Sequence, residues 1–243
     1  MKKLLLLLAI IFTASTFAQN QEVVYESIYL MPEKAKEMKL IEGVKKHNQK
    51  FHSEGRTTAS LYNVLIGRRS GQYVWLLGPM ELSDYDVMPD EIHMSDWQKN
   101  IRSNVSSESV QLGKLNWEAS YSPPSWGSPK YLLHRTIKIN RKYGSYKKVL
   151  EAVTKIGKVL TEINAPNPRR VYESIFADEN GENITLVYPF KSFTRFNNEN
   201  GLPANFQSEY EKINGLGSFR RDVWDVLSEF SDGFSDEVLQ LVK

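Results

Sequence analysis

The sequence predicts an α+β fold in which two fused βαββαβ units turn their sheets face to face and form an intramolecular α+β barrel. Three observations support this. The order strand, helix, hairpin, helix, strand occurs twice. Residues 123–130, with three prolines and a glycine, separate the two occurrences and are typical of a linker. Strands such as Gln72–Leu77 (QYVWLL) are apolar on both sides, so both of their faces must be covered.

The first unit, residues 19–122, opens with a strand at Val23–Met31 that is rich in β-branched and aromatic residues. Pro32 suits the entry to a helix, because its missing N–H costs nothing there. The helix should end near Gly55. Its apolar face is predicted from three- and four-residue spacing as Met38, Ile41, Val44, Asn48 and Phe51.

The rest of the first unit contains a hairpin, a helix and a strand. Ala59–Ile66 and Gln72–Leu77 flank a five-residue turn, residues 67–71, whose two glycines favour a hairpin. A second helix is expected over Ser95–Ser106, capped by its first residues. The last strand is predicted at Lys114–Tyr121 (KLNWEASY).

The second unit, residues 131–243, repeats this order. Its first strand is predicted at Tyr131–Ile139 (YLLHRTIKI). The next helix has the clearest amphipathic stripe of the chain: Tyr146, Val149, Val153, Ile156, Leu160 and Ile163. Two hairpin strands, a helix and a final strand follow at Arg170–Ala177, Asn183–Tyr188, Ser218–Phe230 and Glu237–Val242. Residues 197–217 are an addition relative to the first unit, with a short helix at Ala204–Ile213.

The first 18 residues predict a secretory signal peptide. Lys2 and Lys3 precede nine apolar residues, and Thr16-x-Ala18 is a small-residue exit. The apolar run is shorter than the roughly 20 residues that span a bilayer. We therefore expect a periplasmic or secreted protein with no membrane contact after cleavage near Ala18. The chain has no cysteine, which excludes disulfides and thiolate metal sites.

The charge balance argues against nucleic acid and anionic membranes as partners. The full chain has 31 basic and 29 acidic residues, so removal of Lys2 and Lys3 leaves 29 of each. Arg68-Arg69 and Lys45-Lys46 are interpreted as solvated surface. Because each unit can cover the sheet of the other, we expect a monomer.

Two segments carry a resemblance to a known family. Residues 25–38 (YESIYLMPEKAKEM) resemble the first strand and helix entry of NIPSNAP-like proteins of the dimeric α+β barrel superfamily, whose units are ferredoxin-like. Residues 70–86 (SGQYVWLLGPMELSDYD) resemble their third strand and the turn after it. The resemblance implies a barrel shared by cofactor-free oxygenases, haem-degrading enzymes, muconolactone- and dehalogenase-type enzymes and members of unknown activity. The fold alone does not choose among these.

One candidate site is an acid–base pair between the sheets. Strand alternation places His134 and Thr136 on the face opposite the helices. Alignment of the first strands of the two units sets Glu26 opposite His134. A carboxylate and an imidazole in a partly apolar space could act as catalytic acid and base. A structural pair, or two solvated rim residues, is the alternative interpretation.

Haem and metal sites are not expected. The resemblance to haem-degrading members would supply an Asn on an early strand, a Trp and a His. Trp75 and His93 match the last two, but the Asn has no match, so a core tryptophan and a loop histidine are predicted. His47 and His52 stand five residues apart, about 140° round a helix, which argues against a shared metal ion. No His-x-x-x-His spacing is present.

The leading functional prediction is a protein without a cofactor that binds a small apolar or aromatic molecule between its sheets. The binding candidates are Tyr62, Asn63, Trp75, His93, Thr136 and Glu173. The enzyme alternative is a cofactor-free oxygenase, isomerase or lyase that uses Glu26 and His134. A third alternative is a structural or interaction protein with a solid core and an exposed patch at residues 197–217.

Overall fold

The protein is described here from a computed structural model, which covers residues 22–54, 57–87, 89–124, 129–177, 181–197 and 201–242. The predicted signal peptide at residues 1–18 lies outside the described residues. So do the expected end of the first helix at Gly55, part of the linker at 125–128 and the hairpin turn at 178–180.

Eight strands and five α-helices make up the described chain. The strands β1 to β8 are Val24–Pro32, Ala59–Ile66, Tyr73–Met80, Val105–Leu115, Tyr131–Ile139, Arg170–Ser174, Asn183–Phe190 and Ser231–Leu241. The helices α1 to α5 are Glu37–Phe51, Glu91–Asn100, Ser145–Glu162, Phe206–Asn214 and Asp225–Phe230. A π-helical segment, Arg220–Trp224, leads into α5.

The strands form one closed antiparallel barrel in the order β1-β3-β2-β8-β5-β7-β6-β4. Within each half, the fourth strand is followed by the first, the third and the second, which is the order of a ferredoxin-like unit. The halves join where β2 pairs with β8 and where β4 pairs with β6. The predicted fold class, two fused units that enclose a barrel, is confirmed.

The buried apolar residues form three clusters. Two lie between the barrel and the helices that cover its outside, and the third lies inside the barrel. Leu30, Leu40 and Trp75 belong to the cluster beneath α1 and α2. Four residues of the predicted stripe on α3 are buried in the larger cluster of the second half, and its end residues, Tyr146 and Ile163, pack against that cluster partly buried. Inside the barrel, the buried apolar residues are Tyr29, Tyr62, Val64, Val74, Leu132, Val187 and Leu239. Among the described residues, no helix has the length and apolarity that crossing a bilayer requires.

The buried face of α1 differs from the predicted one. Its buried residues are Leu40, Gly43, Val44 and His47, whereas Met38 is 70% exposed. Close packing against α2 decides this face, because a Cβ on Gly43 would lie 2.1 Å from the carbonyl oxygen of Asn100. Hydrophobic spacing alone cannot detect a contact made by a glycine backbone.

The predicted positions of the second helix and of β4 are also wrong. The helix α2 starts four residues earlier than Ser95, at Glu91, where the Asp90 side chain accepts a hydrogen bond from the His93 backbone N–H. The strand β4 starts at Val105 and ends at Leu115. Its first half is polar and exposed on both faces, so it lacks the alternation that marks a half-buried strand. Trp117, which the predicted strand Lys114–Tyr121 includes, lies in a turn and is 43% exposed.

Candidate functional site

The interior of the barrel contains a cavity of about 570 Å³. Successive residues of a strand point to opposite faces, so every second side chain of β1 reaches the inside. The lining includes Tyr25, Ser27, Tyr29, Ser60, Tyr62, Leu76, Leu132, His134, Arg170, Tyr172, Thr185 and Val187. This volume lies within the range of roughly 300–1,000 Å³ that small-molecule sites occupy. A solid core would not leave such a space.

Tyrosine rings and aliphatic side chains share the wall. The rings of Tyr25 and Tyr172 meet edge to face with centroids 5.5 Å apart. Burial raises the pKa of Tyr29 to about 12 and also raises the pKa of Tyr62. These phenols therefore keep their protons at neutral pH and can donate hydrogen bonds into the cavity.

The pairing that closes the barrel beside the cavity is shortest between β4 and β6. β4 pairs with β6 over only three residue pairs, Gly113↔Ser174 to Leu115↔Tyr172. Beyond them, the exposed first half of β4 faces the end of the β6–β7 hairpin. Phe176, at that edge, lines the cavity and is 69% exposed. The edge between β4 and the end of the β6–β7 hairpin is therefore a candidate entrance for a small molecule.

An ion pair closes one end of the barrel. Arg69, on the β2–β3 turn, donates from Nε to Oε1 of Glu237 at 2.9 Å and from Nη2 to Oε2 at 2.6 Å. Its guanidinium also lies 3.4 Å from the centroid of the Tyr29 ring. Glu237 is 6% exposed. The prediction that Arg69 is solvated surface is therefore wrong, because the turn folds its side chain inward over the barrel end.

His134 lies on the cavity wall, between Val187 of β7 and Glu237 of β8. Burial lowers the pKa of His134 to about 4; the charge of Glu237 opposes this and that of Arg69 adds to it. The imidazole is therefore uncharged at neutral pH. Within the described part of the chain, its ring nitrogens have no hydrogen-bond partner. The ring can accept a hydrogen bond or a proton from a molecule in the cavity.

The pKa of His134 gives a stability prediction. It is about 4 in the fold and 6.5 ordinarily, so between these values the unfolded chain binds a proton that the folded chain does not. Stability should therefore fall as the pH falls through this window. We expect His134→Gln to remove about 2 kcal/mol of the loss between about pH 7 and about pH 4.5. Urea unfolding of the parent and of His134→Gln at both pH values measures this difference. If the two proteins lose the same free energy of unfolding, His134 is not the group whose pKa is lowered.

Glu26 and His134 are not brought together, which corrects the predicted acid–base pair. Tyr25, Ser27 and Tyr29 line the cavity, so Glu26 lies on the outer face of β1. There its carboxylate accepts a hydrogen bond from Tyr85, while burial raises its pKa. The alignment of the two first strands was wrong by one residue, and a slip of one residue moves a side chain to the other face.

The predicted binding residues divide between the two faces. Tyr62 lines the main cavity, and Thr136 lines a smaller hollow that shares Asn183 with it. Asn63 follows Tyr62 directly, so it belongs to the outer face. Glu173 is also outside the cavity, where it accepts hydrogen bonds from Tyr146 Oη at 2.6 Å and from an asparagine amide at 2.8 Å.

Trp75 and His93 lie behind the first sheet rather than in the cavity. Trp75 donates from Nε1 to Asn48 Oδ1 at 2.8 Å and is buried, as predicted for a core tryptophan. His93 belongs to α2, not to a loop, and stacks on Phe51 with centroids 4.5 Å apart. Because packed rings fill this region, the two residues that resemble a haem-degrading site do not fit a haem.

The prediction that His47 and His52 are too far apart around the helix is wrong. The helix α1 ends at Phe51, and His52 has a φ of −135°, so its side chain leaves the helical arrangement. One ring nitrogen from each of His47, His52 and His93 lies within 4.8 Å of the others. This cluster lies on the helix side of the sheet, away from the cavity.

The interior also includes residues outside the predicted site, among them Tyr25, Ser27, Tyr29, Arg69, Arg170, Tyr172 and Glu237. The alternation of Tyr25, Ser27 and Tyr29 against Glu26 and Ile28 was visible in the sequence. If Tyr25, Ser27 and Tyr29 are taken as the inner face of β1, this alternation places all three inside the barrel.

Comparison with solved structures places the fold. An anthrone oxidase-like protein matches with a TM-score of 0.56 and 11% identity, over 93% of each chain. A proposed monooxygenase from Fusobacterium nucleatum subsp. nucleatum ATCC 25586 matches with a TM-score of 0.59 and 10% identity, over 92% of this chain and 94% of that one. A chlorite dismutase mutant from Candidatus Nitrospira defluvii matches with a TM-score of 0.51 and 15% identity, over 90% and 91%.

The likeness is one of fold. These proteins and this chain share the α+β barrel. No family model matches the sequence. No curated protein matches it either. Identities of this size transfer neither an activity nor a residue role.

Proposed function

We propose that the barrel interior binds a small, flat and largely apolar molecule. The cavity of about 570 Å³, walled by tyrosine rings and aliphatic side chains, is the observation that carries this proposal. Sites of this kind combine apolar walls with a few polar groups that fix orientation. Here the polar groups include the tyrosine hydroxyls, the His134 imidazole and the Arg170 guanidinium.

The wall chemistry favours an aromatic molecule that bears a hydroxyl or a carbonyl. The rings of Tyr25, Tyr62 and Tyr172 offer edges and faces for stacking. Their hydroxyls can donate to a carbonyl oxygen, and uncharged His134 can accept from a hydroxyl. A cationic ligand would lose its hydration without a matching carboxylate among the described lining residues, and is disfavoured.

Anthrone, a flat tricyclic ketone suggested by the name of one structural neighbour, is a suitable probe. We expect it to quench tyrosine and tryptophan fluorescence saturably and to raise the melting temperature. Ser27→Trp, which places a large ring in the cavity, should weaken binding at least about tenfold by occluding the site. Ser106→Trp, on the exposed part of β4, is the matched control and should bind as the parent does.

Two results would count against the binding proposal. One is the absence of binding by anthrone and by simpler phenols at solubility-limited concentration. The other is undiminished binding by a folded Ser27→Trp protein, since the probe would then lie elsewhere. Circular dichroism of each variant establishes that the fold is kept.

The second candidate is a cofactor-free oxygenase, favoured by the uncharged His134 on the cavity wall and by the monooxygenase names of structural neighbours. His134 would accept a proton from an acidic C–H beside a carbonyl. The resulting enolate would supply electrons to dioxygen, so that a CH₂ group and O₂ give a C=O group and water. An isomerase or lyase would use the same base without dioxygen.

Oxygen uptake with anthrone tests this candidate. We expect His134→Gln to reduce the rate by about 10²-fold or more while anthrone affinity changes little, because a positioned base contributes about 10²–10⁴-fold. Equal rates in the two proteins, or uptake no faster than the uncatalysed reaction, would exclude His134 as the base. The binding proposal would survive either result.

The resemblance of residues 25–38 to NIPSNAP-like proteins supports a relationship to that group. We further propose that the mature chain begins after Ala18, is exported, acts as a monomer and binds neither nucleic acid nor membranes. Intact mass of the exported protein and its size-exclusion volume test this directly. An uncleaved chain or a dimer would contradict the respective part.

A further inference from the structure

Three of the four histidines of the chain meet on the outer side of the first half. His47 comes from α1, His52 directly follows α1, and His93 comes from α2. The Nε2 atoms of His93 and His47 are 3.0 Å apart, and those of His93 and His52 are 3.2 Å apart. Two elements of the fold thus bring three imidazole nitrogens to one point.

The second ring nitrogen of two of these residues is held by an acceptor. Nδ1 of His47 lies 2.9 Å from Oδ2 of Asp96, and Nδ1 of His52 lies 2.9 Å from the carbonyl oxygen of Thr57. A carbonyl oxygen and an ionised carboxylate only accept, so each Nδ1 carries the proton. In the neutral rings, each Nε2 then presents a lone pair towards the meeting point.

This arrangement is more than a packed group of rings. Only His93 can donate at the meeting point, so two lone pairs from His47 and His52 converge on one N–H at most. A metal-bound histidine usually has this outer partner, since a carboxylate or a carbonyl fixes the tautomer and the ring orientation. Here His47 has a carboxylate partner, Asp96, and His52 has a carbonyl partner, Thr57.

The spacing suits a transition ion. Zinc binds imidazole nitrogens at about 2.0–2.1 Å, and a tetrahedron of that size sets neighbouring ligand atoms about 3.3 Å apart. Two of the three separations, 3.0 and 3.2 Å, are close to this value, and the third is within 4.8 Å. Small movements of the rings would centre an ion without a change in the backbone.

Aromatic packing holds the histidine rings in place. The centroid of the His47 ring is 5.2 Å from that of Trp97, and the centroid of the His52 ring is 5.1 Å from that of Trp75. His47 and His52 are buried, whereas His93 is partly exposed. His93 is therefore the member of the cluster that lies nearest to solvent.

We propose that His47, His52 and His93 bind one divalent first-row transition ion, best matched by Zn²⁺, through their Nε2 atoms. Asp96 and the Thr57 carbonyl act as positioning groups. The ion would join the end of α1 to α2. Three histidines and an open fourth position are the ligand set of a zinc site that can hold a water or a substrate atom. This site is separate from the barrel cavity.

Zinc and cobalt binding test the proposal on full-length mature protein without a polyhistidine tag, after removal of bound metal with a chelator. We expect one Zn²⁺ per chain by calorimetry and a rise in melting temperature with ZnCl₂ but not with MgCl₂. Co²⁺ should give the visible absorption of a tetrahedral nitrogen site. Bound metal in freshly purified protein, measured by plasma mass spectrometry, would support the same conclusion.

Variants locate the ion. His93→Gln, at the partly exposed ligand, should abolish the Co²⁺ spectrum, and Asp96→Asn should weaken Zn²⁺ binding about 10–100-fold. His134→Gln removes the fourth histidine of the chain, which lies outside the cluster, and should leave Zn²⁺ binding unchanged. Circular dichroism confirms that each variant folds. Absence of binding at micromolar Zn²⁺, or binding unchanged in folded His93→Gln, would overturn the proposal.

Discussion

The free energy of unfolding of a Glu237→Gln protein is expected to be about 2–4 kcal/mol lower than that of the parent, because the change leaves Arg69 without its counter-charge. Both oxygens of the buried Glu237 carboxylate accept from Arg69, and Oε1 also accepts from the Arg69 backbone N–H at 3.1 Å. Glutamine keeps the shape but can accept on one side only. The Arg69 side chain is partly exposed, which keeps the expected loss below that of a wholly buried pair.

The measurement is urea unfolding at neutral pH, and Glu42→Gln is the matched control. The exposed pair of Glu42 and Lys46, with N and O 3.9 Å apart, should contribute no more than about 0.5 kcal/mol. The double variant Arg69→Met, Glu237→Gln should lose less free energy of unfolding than the two single variants lose together, since neither charge is then left without its partner. A loss below about 1 kcal/mol for Glu237→Gln would show that the pair does not close the barrel as described.

Gly43→Ala is expected to destabilise the protein by about 2–4 kcal/mol, although alanine normally stabilises a helix by about 1 kcal/mol relative to glycine. The added Cβ would lie 2.1 Å from the Asn100 carbonyl oxygen and 2.9 Å from its carbon. These are backbone atoms of α2 and cannot rotate away. The helices α1 and α2 must therefore separate.

Thermal and urea unfolding of Gly43→Ala measure this, with Lys45→Ala, an exposed change on the same helix, as the control. Lys45→Ala should alter stability by less than about 0.5 kcal/mol. Separation of the helices should also reduce Zn²⁺ affinity, because His47 and His93 lie on opposite sides of this contact. A Gly43→Ala protein more stable than the parent would contradict the close packing of α1 on α2.

The parts of the fold that the sequence predicts well are those in which one face is apolar and the ends are marked by turn residues. The bounds of β2 and β5, Ala59–Ile66 and Tyr131–Ile139, agree with the prediction at both ends. The strand β4 was misplaced because Ser106–Gln111 are exposed on both faces and, apart from Val110, polar. It is held by pairing with β1, and such pairing leaves no mark in a hydrophobic pattern.

The candidate site was predictable only where it follows from alternation along one strand. The inward direction of His134 could be read in this way, whereas that of Glu26 was lost through a slip of one residue. Arg69 and Glu237 are 168 residues apart, and their contact depends on closure of the whole barrel. The histidine cluster depends on the residue at which α1 ends. A sequence-based prediction does not locate a helix end to within one residue.

The most direct test of the central claim, that the barrel interior is an open site for a flat aromatic molecule, is a crystal structure of the mature protein grown with anthrone. The expected result is density for one molecule inside the barrel, in contact with the Tyr62 and Tyr172 rings and with its oxygen within hydrogen-bond distance of a tyrosine hydroxyl or the His134 imidazole. An interior filled by the side chains of β1, β5 and β7, with no density for the probe, would contradict it.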